Sequence, residues 1–271
     1  MKIEKYNQRL LAILGTVGVI FLIIALIAFV SMWALELGRY SDDDIDTGIL
    51  SQEKIEQLQQ ENKREQVISY ETPRLIDTLN SVYIIPVSHK TLGEPEDIDE
   101  SLNAMSSGGL FEKVDMRYTN YFYGAFNNII VYKPELDDFK KLFDKRVNFN
   151  EIQTEYFEDD IFLLLSVSEK DTFKDGVINL KDYKTLYIYS MGTGELKTVA
   201  IEGTDVFQFK VLNTGKDIAI RFGIDKNKDG KYEEHNEPTI IKKYDFETGS
   251  LVDIVDQKVN AEMQRTLEGT K

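Results

Sequence analysis

The run from Leu10 to Trp33, LLAILGTVGVIFLIIALIAFVSMW, holds 24 residues and no charge. At about 1.5 Å of rise per residue, such a helix crosses a hydrocarbon core of about 30 Å. A cleaved signal peptide is the competing reading, but it has an apolar stretch of about 7–15 residues and a small-x-small cleavage site. Here the stretch is longer and ends in SMWALELG. The sequence therefore predicts an uncleaved transmembrane helix over residues 10–34. Lys2, Lys5 and Arg9 precede the span, and Asp42, Asp43 and Asp44 follow it. An excess of basic residues marks the cytoplasmic side. Residues 1–9 are expected to be a cytoplasmic tail. The chain is then a single-pass protein of the inner or plasma membrane with an extracytoplasmic, periplasmic C-terminal domain.

Charge narrows the partners of that domain. The chain carries a formal charge of −15, and residues 1–34 hold three basic side chains against Glu4 alone, so the remainder carries −17. Nucleic acid is excluded as a partner, because such binding depends on Lys and Arg neutralising phosphates. There is no Cys, which removes a disulfide framework, thiolate metal sites, a thiol nucleophile and a lipid-modified cysteine together.

Residues 35–66 are read as a spacer helix or linker. The segment ends in LSQEKIEQLQQENKREQ, and Ile55 and Leu58 supply one helical contact pair, where a sustained coiled coil needs several heptads. From residue 67 the chain turns to β-branched and aromatic runs between turn residues. Three runs overlay as a buried strand with a polar loop behind it: SVYIIPVSHK (Ser81–Lys90), DIFLLLSVSEK (Asp160–Lys170) and DIAIRFGIDKNK (Asp217–Lys228). A second set reads strand, tight turn, strand, beginning at Asn128, Thr185 and Thr239, with spacings of 57 and 54 residues. Gly192, Gly194 and Gly249 stand where left-handed backbone angles are cheap. The expectation is an all-β domain over 67–260, one four-stranded unit used three times, with 261–271 as a C-terminal tail.

The succession of strand, N-T-G-K-D turn, strand, then an aromatic strand ending in D-x-x-T-G and a short outer strand, as in DVFQFKVLNTGKDIAIRFGID and IIKKYDFETGSLVDIV, resembles the blades of Tol-associated β-propellers. The likeness covers Thr72–Val255 and is clearest over Asp205–Val255. It implies a scaffold. Propellers close with about four to eight blades, so three units imply an incomplete, propeller-like array that stays open, pairs with a second copy or docks on another protein. A β-sandwich or other β-meander is the alternative.

The stretch DKNKDGKYEEHNE (Asp225–Glu237) matches the first half of an EF-hand calcium loop, with Asp225, Asn227 and Asp229 at alternate positions and Gly230 next. A hard cation wants oxygen ligands at about 2.3–2.6 Å, and the glycine allows the turn that brings a backbone carbonyl round as a further ligand. Lys231 would offer that carbonyl, and Glu233 could act directly or through water. The twelfth position is Asn236, where the pattern expects a bidentate acid, so Glu237 is the candidate to close the site. The expected cofactor is one structural calcium ion. The competing reading is a solvated turn in which Asp and Asn accept backbone hydrogen bonds. The corresponding loop DTFKDGVINLKD (Asp171–Asp182) has Phe173 at the middle ligand position and is expected to be metal-free.

For catalysis the residues offer little. His89 and His235 are the two histidines, and no G-x-S-x-G, H-E-x-x-H or phosphate-cradling glycine loop occurs. The insertion Thr91–Asn128 ends in an aromatic cluster, Tyr118, Tyr121, Phe122, Tyr123 and Phe126, which fits a protein interface and a strand equally. The sequence reading is thus a non-enzymatic, membrane-anchored interaction or scaffolding module, an accessory subunit of an envelope complex with a protein partner or self-association. An extracytoplasmic ligand-binding or sensor module ranks second and an envelope hydrolase third.

Overall fold

The structure is a computed structural model that describes Leu22, Leu26 and residues 48–60, 66–91, 120–212 and 215–269. Met1–Asp46 and Thr47–Lys271 form separate compact units. The span Leu10–Trp33 lies outside the described residues apart from Leu22 and Leu26, which are helical. Among the described residues no helix is long and apolar enough to cross a membrane.

The unit Thr47–Lys271 is dominated by antiparallel β-structure. Sheet I contains β2 (Gln66–Tyr70), β3 (Arg74–Asp77), β4 (Val82–Thr91), β6 (Asn128–Lys133) and β7 (Asp138–Lys141), in the order β2-β4-β6-β7 with β3 also on β4. Sheet II contains β5 (Tyr121–Phe126), β8 (Phe149–Tyr156), β9 (Ile161–Ser168), β11 (Lys184–Ser190) and β12 (Leu196–Val199), in the order β12-β11-β9-β8-β5. Sheet III is the meander β13 (Thr204–Val211), β14 (Ile218–Ile224), β15 (Thr239–Asp245) and β16 (Ser250–Asp253). The short strands β1 (Ile49–Leu50) and β10 (Val177–Ile178) pair with each other.

Strand chemistry dictates the layering. In β9 the sequence IFLLLSVS is apolar almost without alternation, the mark of a strand covered on both faces. Leu163, Leu165 and Val167 point into a core shared with Ile84, Ile129 and Val131 of sheet I. Phe162 and Leu164 point the other way, into a core shared with Ile218, Ile220 and Phe222 of sheet III. Sheet II is therefore the middle layer.

The tight turns between β11 and β12 and between β15 and β16 use Gly194 and Gly249 at φ of 69° and 67°. That left-handed conformation strains a residue bearing a Cβ. Each glycine donates its N–H to the carbonyl four residues back, Ser190 and Asp245, at 2.9 Å.

The described residues of this unit include two α-helices. Helix α1 (Gln52–Gln60) falls within the predicted spacer and buries Leu58. Helix α2 (Gln257–Glu268) occupies much of the segment read as a tail. Asp256 caps its N-terminus by accepting from the Lys258 N–H, and Gly269 ends it in a left-handed turn.

Candidate metal centre

The acidic loop joins β14 to β15, so the strand ends of sheet III hold both of its feet. Inside the loop, the Tyr232 ring lies so close over Gly223 of β14 that a Cβ there would meet it at 2.3 Å. The ring also meets Phe207 edge-on at 5.2 Å.

Short acids and amides curl the first half of the loop upon itself. Asp225 Oδ2 accepts from the Gly230 N–H at 2.9 Å, Asn227 Oδ1 from the Asp229 N–H at 2.9 Å, and Asp229 Oδ1 from the Lys231 N–H at 3.1 Å. Lys228 is left-handed at φ 60° and Gly230 at φ 93°. Glycine is required at the second position. A Cβ on Gly230 would stand 1.9 Å from the Thr172 carbonyl oxygen.

The structure separates the two acids that the sequence left as alternatives. Glu237 is buried and reaches back across the loop, its Oε1 accepting from the Lys226 N–H at 2.7 Å and the Asn227 N–H at 3.3 Å, and its Oε2 from the Glu233 N–H at 2.9 Å. Glu233 instead pairs with the Lys231 ammonium at 2.7 Å and accepts from the Asn236 amide at 3.1 Å. That ammonium holds the Glu233 carboxyl below its ordinary range. Asp225, Asn227, Asp229 and Glu237 are thus drawn to one turn, with the Lys231 backbone beside them. The donors are all hard oxygens with lone pairs beyond those their N–H partners use, which is the chemistry a calcium ion selects. Among the described residues no three acidic or imidazole groups converge closely enough to form a finished cation site.

The second loop, Asp171–Asp182, follows the same scheme. Asp171 Oδ2 accepts from the Gly176 N–H at 2.9 Å, and Asp175 Oδ1 from the Val177 N–H at 3.0 Å. Lys174 and Gly176 are left-handed at φ 61° and 90°. Asp182, fully buried, closes it by accepting from the N–H groups of Thr172, Phe173 and Asn179 at 2.6, 3.0 and 2.9 Å. Burial pushes the Asp182 carboxyl up even against these donors. The two closing acids do the same work from different offsets: Asp182 stands 11 residues after Asp171, and Glu237 stands 12 after Asp225.

The two loops are joined to each other. Asp182 and Lys231 form a β-bridge, the Thr172 hydroxyl donates to the Gly230 carbonyl at 2.6 Å, and the Tyr183 hydroxyl donates to Asp225 Oδ2. Burial first, and then the Asp225 carboxylate, drive the Tyr183 phenol far above its ordinary value. Burial opposes ionisation of Asp225, yet the donors Tyr183, Gly230 and Lys228 win and hold its carboxyl below its ordinary range. The segment that precedes helix α1 is fastened to the same place. β1 pairs with β10 inside the second loop, the Ser51 N–H donates to the Gly176 carbonyl at 2.9 Å, and Arg146 donates to the Leu50 carbonyl at 3.2 Å.

The remaining candidates are ordinary. His89 Nδ1 lies 2.7 Å from the Asn127 amide at the end of β4, and His235 sits exposed in the acidic loop. Of the aromatic cluster, Phe122 and Phe126 enter the core while Tyr121 and Tyr123 are exposed on β5. Tyr118 lies outside the described residues. No family model matches the chain, and no curated protein matches it.

Proposed function

We propose that the chain is a non-enzymatic, membrane-anchored extracytoplasmic scaffolding module, an accessory subunit of an envelope complex. Its three sheets serve as blade-like repeats of an incomplete propeller. The observation that carries this reading is the face of sheet I turned away from the core. Cross-strand registers line up Leu75 with Tyr83, Tyr83 with Tyr132 and Tyr132 with Phe139, one apolar row across four strands. Leu75 is 44% and Phe139 70% exposed. Ile85 and Ile130 pair in the next row. A sheet with one face on the core normally turns polar residues to water on the other, and aromatic residues are enriched where proteins meet. In a closed propeller the next blade would cover this row. Here a partner protein or a second copy takes its place.

In the same reading, one calcium ion braces the acidic loop through Asp225, Asn227, Asp229, the Lys231 carbonyl and Glu237, with Glu233 reached through water. Because the second loop holds β1, that ion would also stiffen the attachment of the membrane-proximal segment. The test is purification of the full-length chain from its own membrane in mild detergent. A stoichiometric partner, or a defined oligomer, should be retained by the natural chain and lost on Phe139→Lys with the melting temperature unchanged. A natural chain that runs as a lone monomer would sink the proposal.

A further inference from the structure

The face of sheet II that packs on sheet III is not covered along its whole width. On β5 and β8, Tyr123 stands opposite Glu151 and Tyr121 opposite Gln153, and Gln153 stands opposite Leu164 of β9. These side chains share the face of Leu164, a member of the core between sheets II and III. At this end the edge strand β13 leaves a cleft of about 390 Å³, lined among others by Tyr121, Glu151, Gln153, Lys184, Phe207 and Phe209. That volume falls within the range of small-ligand sites, about 300–1,000 Å³.

The charges of the lining do not cancel. The Lys184 ammonium is matched by the buried Asp205 carboxylate at 2.9 Å and also donates to the Leu180 carbonyl at 3.3 Å. Arg221, which lies 4.8 Å over the Phe207 ring, bonds the Gln208 amide at 3.1 Å and faces Glu234 at 3.7 Å. Glu151 is half-buried, and no basic side chain among the described residues forms an ion pair with it. Burial raises its carboxyl; burial first, and then the Glu155 and Glu151 carboxylates, raise the phenol of Tyr121, and burial and then Glu151 raise that of Tyr123. The two tyrosine rings are parallel, 8° apart in plane with centroids at 6.3 Å. A half-buried carboxylate without a counter-ion, set among aromatic rings, is costly unless a cation answers it.

We propose that this cleft binds a monovalent organic cation, a primary ammonium or guanidinium group on a short apolar stem, with Glu151 as counter-ion and Tyr121 and Phe207 against the stem. The Gln153 amide nitrogen donates to Glu155 at 2.6 Å, which leaves the Gln153 carbonyl oxygen as a neutral acceptor for the cation. The acidic surface of the domain draws cations toward the mouth.

The experiment is calorimetry on the full-length chain in detergent with butylguanidinium and butylammonium, and with butylurea and butyrate as neutral and anionic controls. The cations should bind with Kd on the order of 1 mM, as small fragments with one charge pair do, and the controls should not. Glu151→Gln should weaken binding about tenfold or more, whereas Glu247→Gln, which removes an equal charge from the β15–β16 turn, should not. Phe207→Leu removes the ring that borders the stem while keeping the charge, and should weaken both cationic probes about threefold. A capped Gly-Arg-Gly peptide that binds more tightly than butylguanidinium would place the cation on a protein segment, and a weaker one would place it on a small molecule. Absence of cation binding at about ten times the expected Kd, or equal affinity in Glu151→Gln, overturns the proposal. Phe139→Lys should leave binding intact, so loss of the partner and loss of the ligand are separate outcomes.

Discussion

The Tyr183 hydroxyl donates to Asp225 Oδ2, so the residue after the closing acid of one acidic loop caps the first acid of the other. Forty-two positions apart, the pair is held by the Asp182–Lys231 bridge beside it. Tyr183→Phe keeps the ring and removes the donor. We expect a loss of about 1 kcal/mol, since a hydrogen bond to a carboxylate is discounted where solvent reaches it, and a fall in melting temperature of about 3 °C. The folded-state carboxyl of Asp225 lies below its unfolded value. Its contribution is therefore complete above the ordinary carboxylate range and is lost as pH falls through the folded value. Melting curves from neutral to acid pH should show a shallower decline in Tyr183→Phe than in the natural chain. An unchanged slope would mean that the contact carries no free energy.

Calcium should raise the melting temperature at millimolar concentration, where weak loops of this kind are filled. The gain is about 2.7 kcal/mol when the ion stands a hundredfold above Kd, and chelator should abolish it. The double variant Asp225→Ala, Asp229→Ala should lose the response and remain folded. Asp171→Ala in the second loop should leave the response in place. No binding heat with the natural chain would reduce the stretch to a hydrogen-bonded turn.

Gly230→Ala should destabilise by about 3 kcal/mol or more, because it combines a left-handed backbone with a hard clash. The clash is with the Thr172 carbonyl of the neighbouring loop. Chemical denaturation should show the loss as a lower midpoint with unchanged slope. A variant as stable as the parent would mean that the two loops are not packed as described.

Phe162→Ala should cost about 3–5 kcal/mol. The ring is fully buried and lies 4.9 Å from Phe157 and 4.8 Å from Phe246. Leu165→Ala, facing the other core, should cost about 2–5 kcal/mol. The two losses should add in the double variant, because the side chains point to opposite faces of β9. Strong non-additivity in denaturation would contradict a middle sheet covered on both sides.

Local features of this protein were legible in its sequence. The apolar run of β9 reads as a buried strand, the D-x-x-T-G turn places Gly249 where a left-handed conformation is cheap, and D-x-N-x-D-G marks the curl from Asp225 to Gly230. Each of these depends on contacts within a few residues, through side-chain alternation, steric limits on φ, or an Asx side chain reaching a nearby N–H. Tertiary structure decided the rest. Glu237, not Glu233, reaches back to the first turn because Pro238 is pinned by the Ile224 N–H at 2.9 Å, one residue beyond each foot of the loop. Nothing in the local sequence around Tyr183 marks it. It meets Asp225 through the pairing of two loops from different sheets. Glu151 looks like any exposed strand acid in the sequence, and β13 turns it into the wall of a cleft. Such sites depend on which sheet stacks on which and on cross-strand register, and those are settled by burial summed over the whole domain, not by the pattern of any one segment.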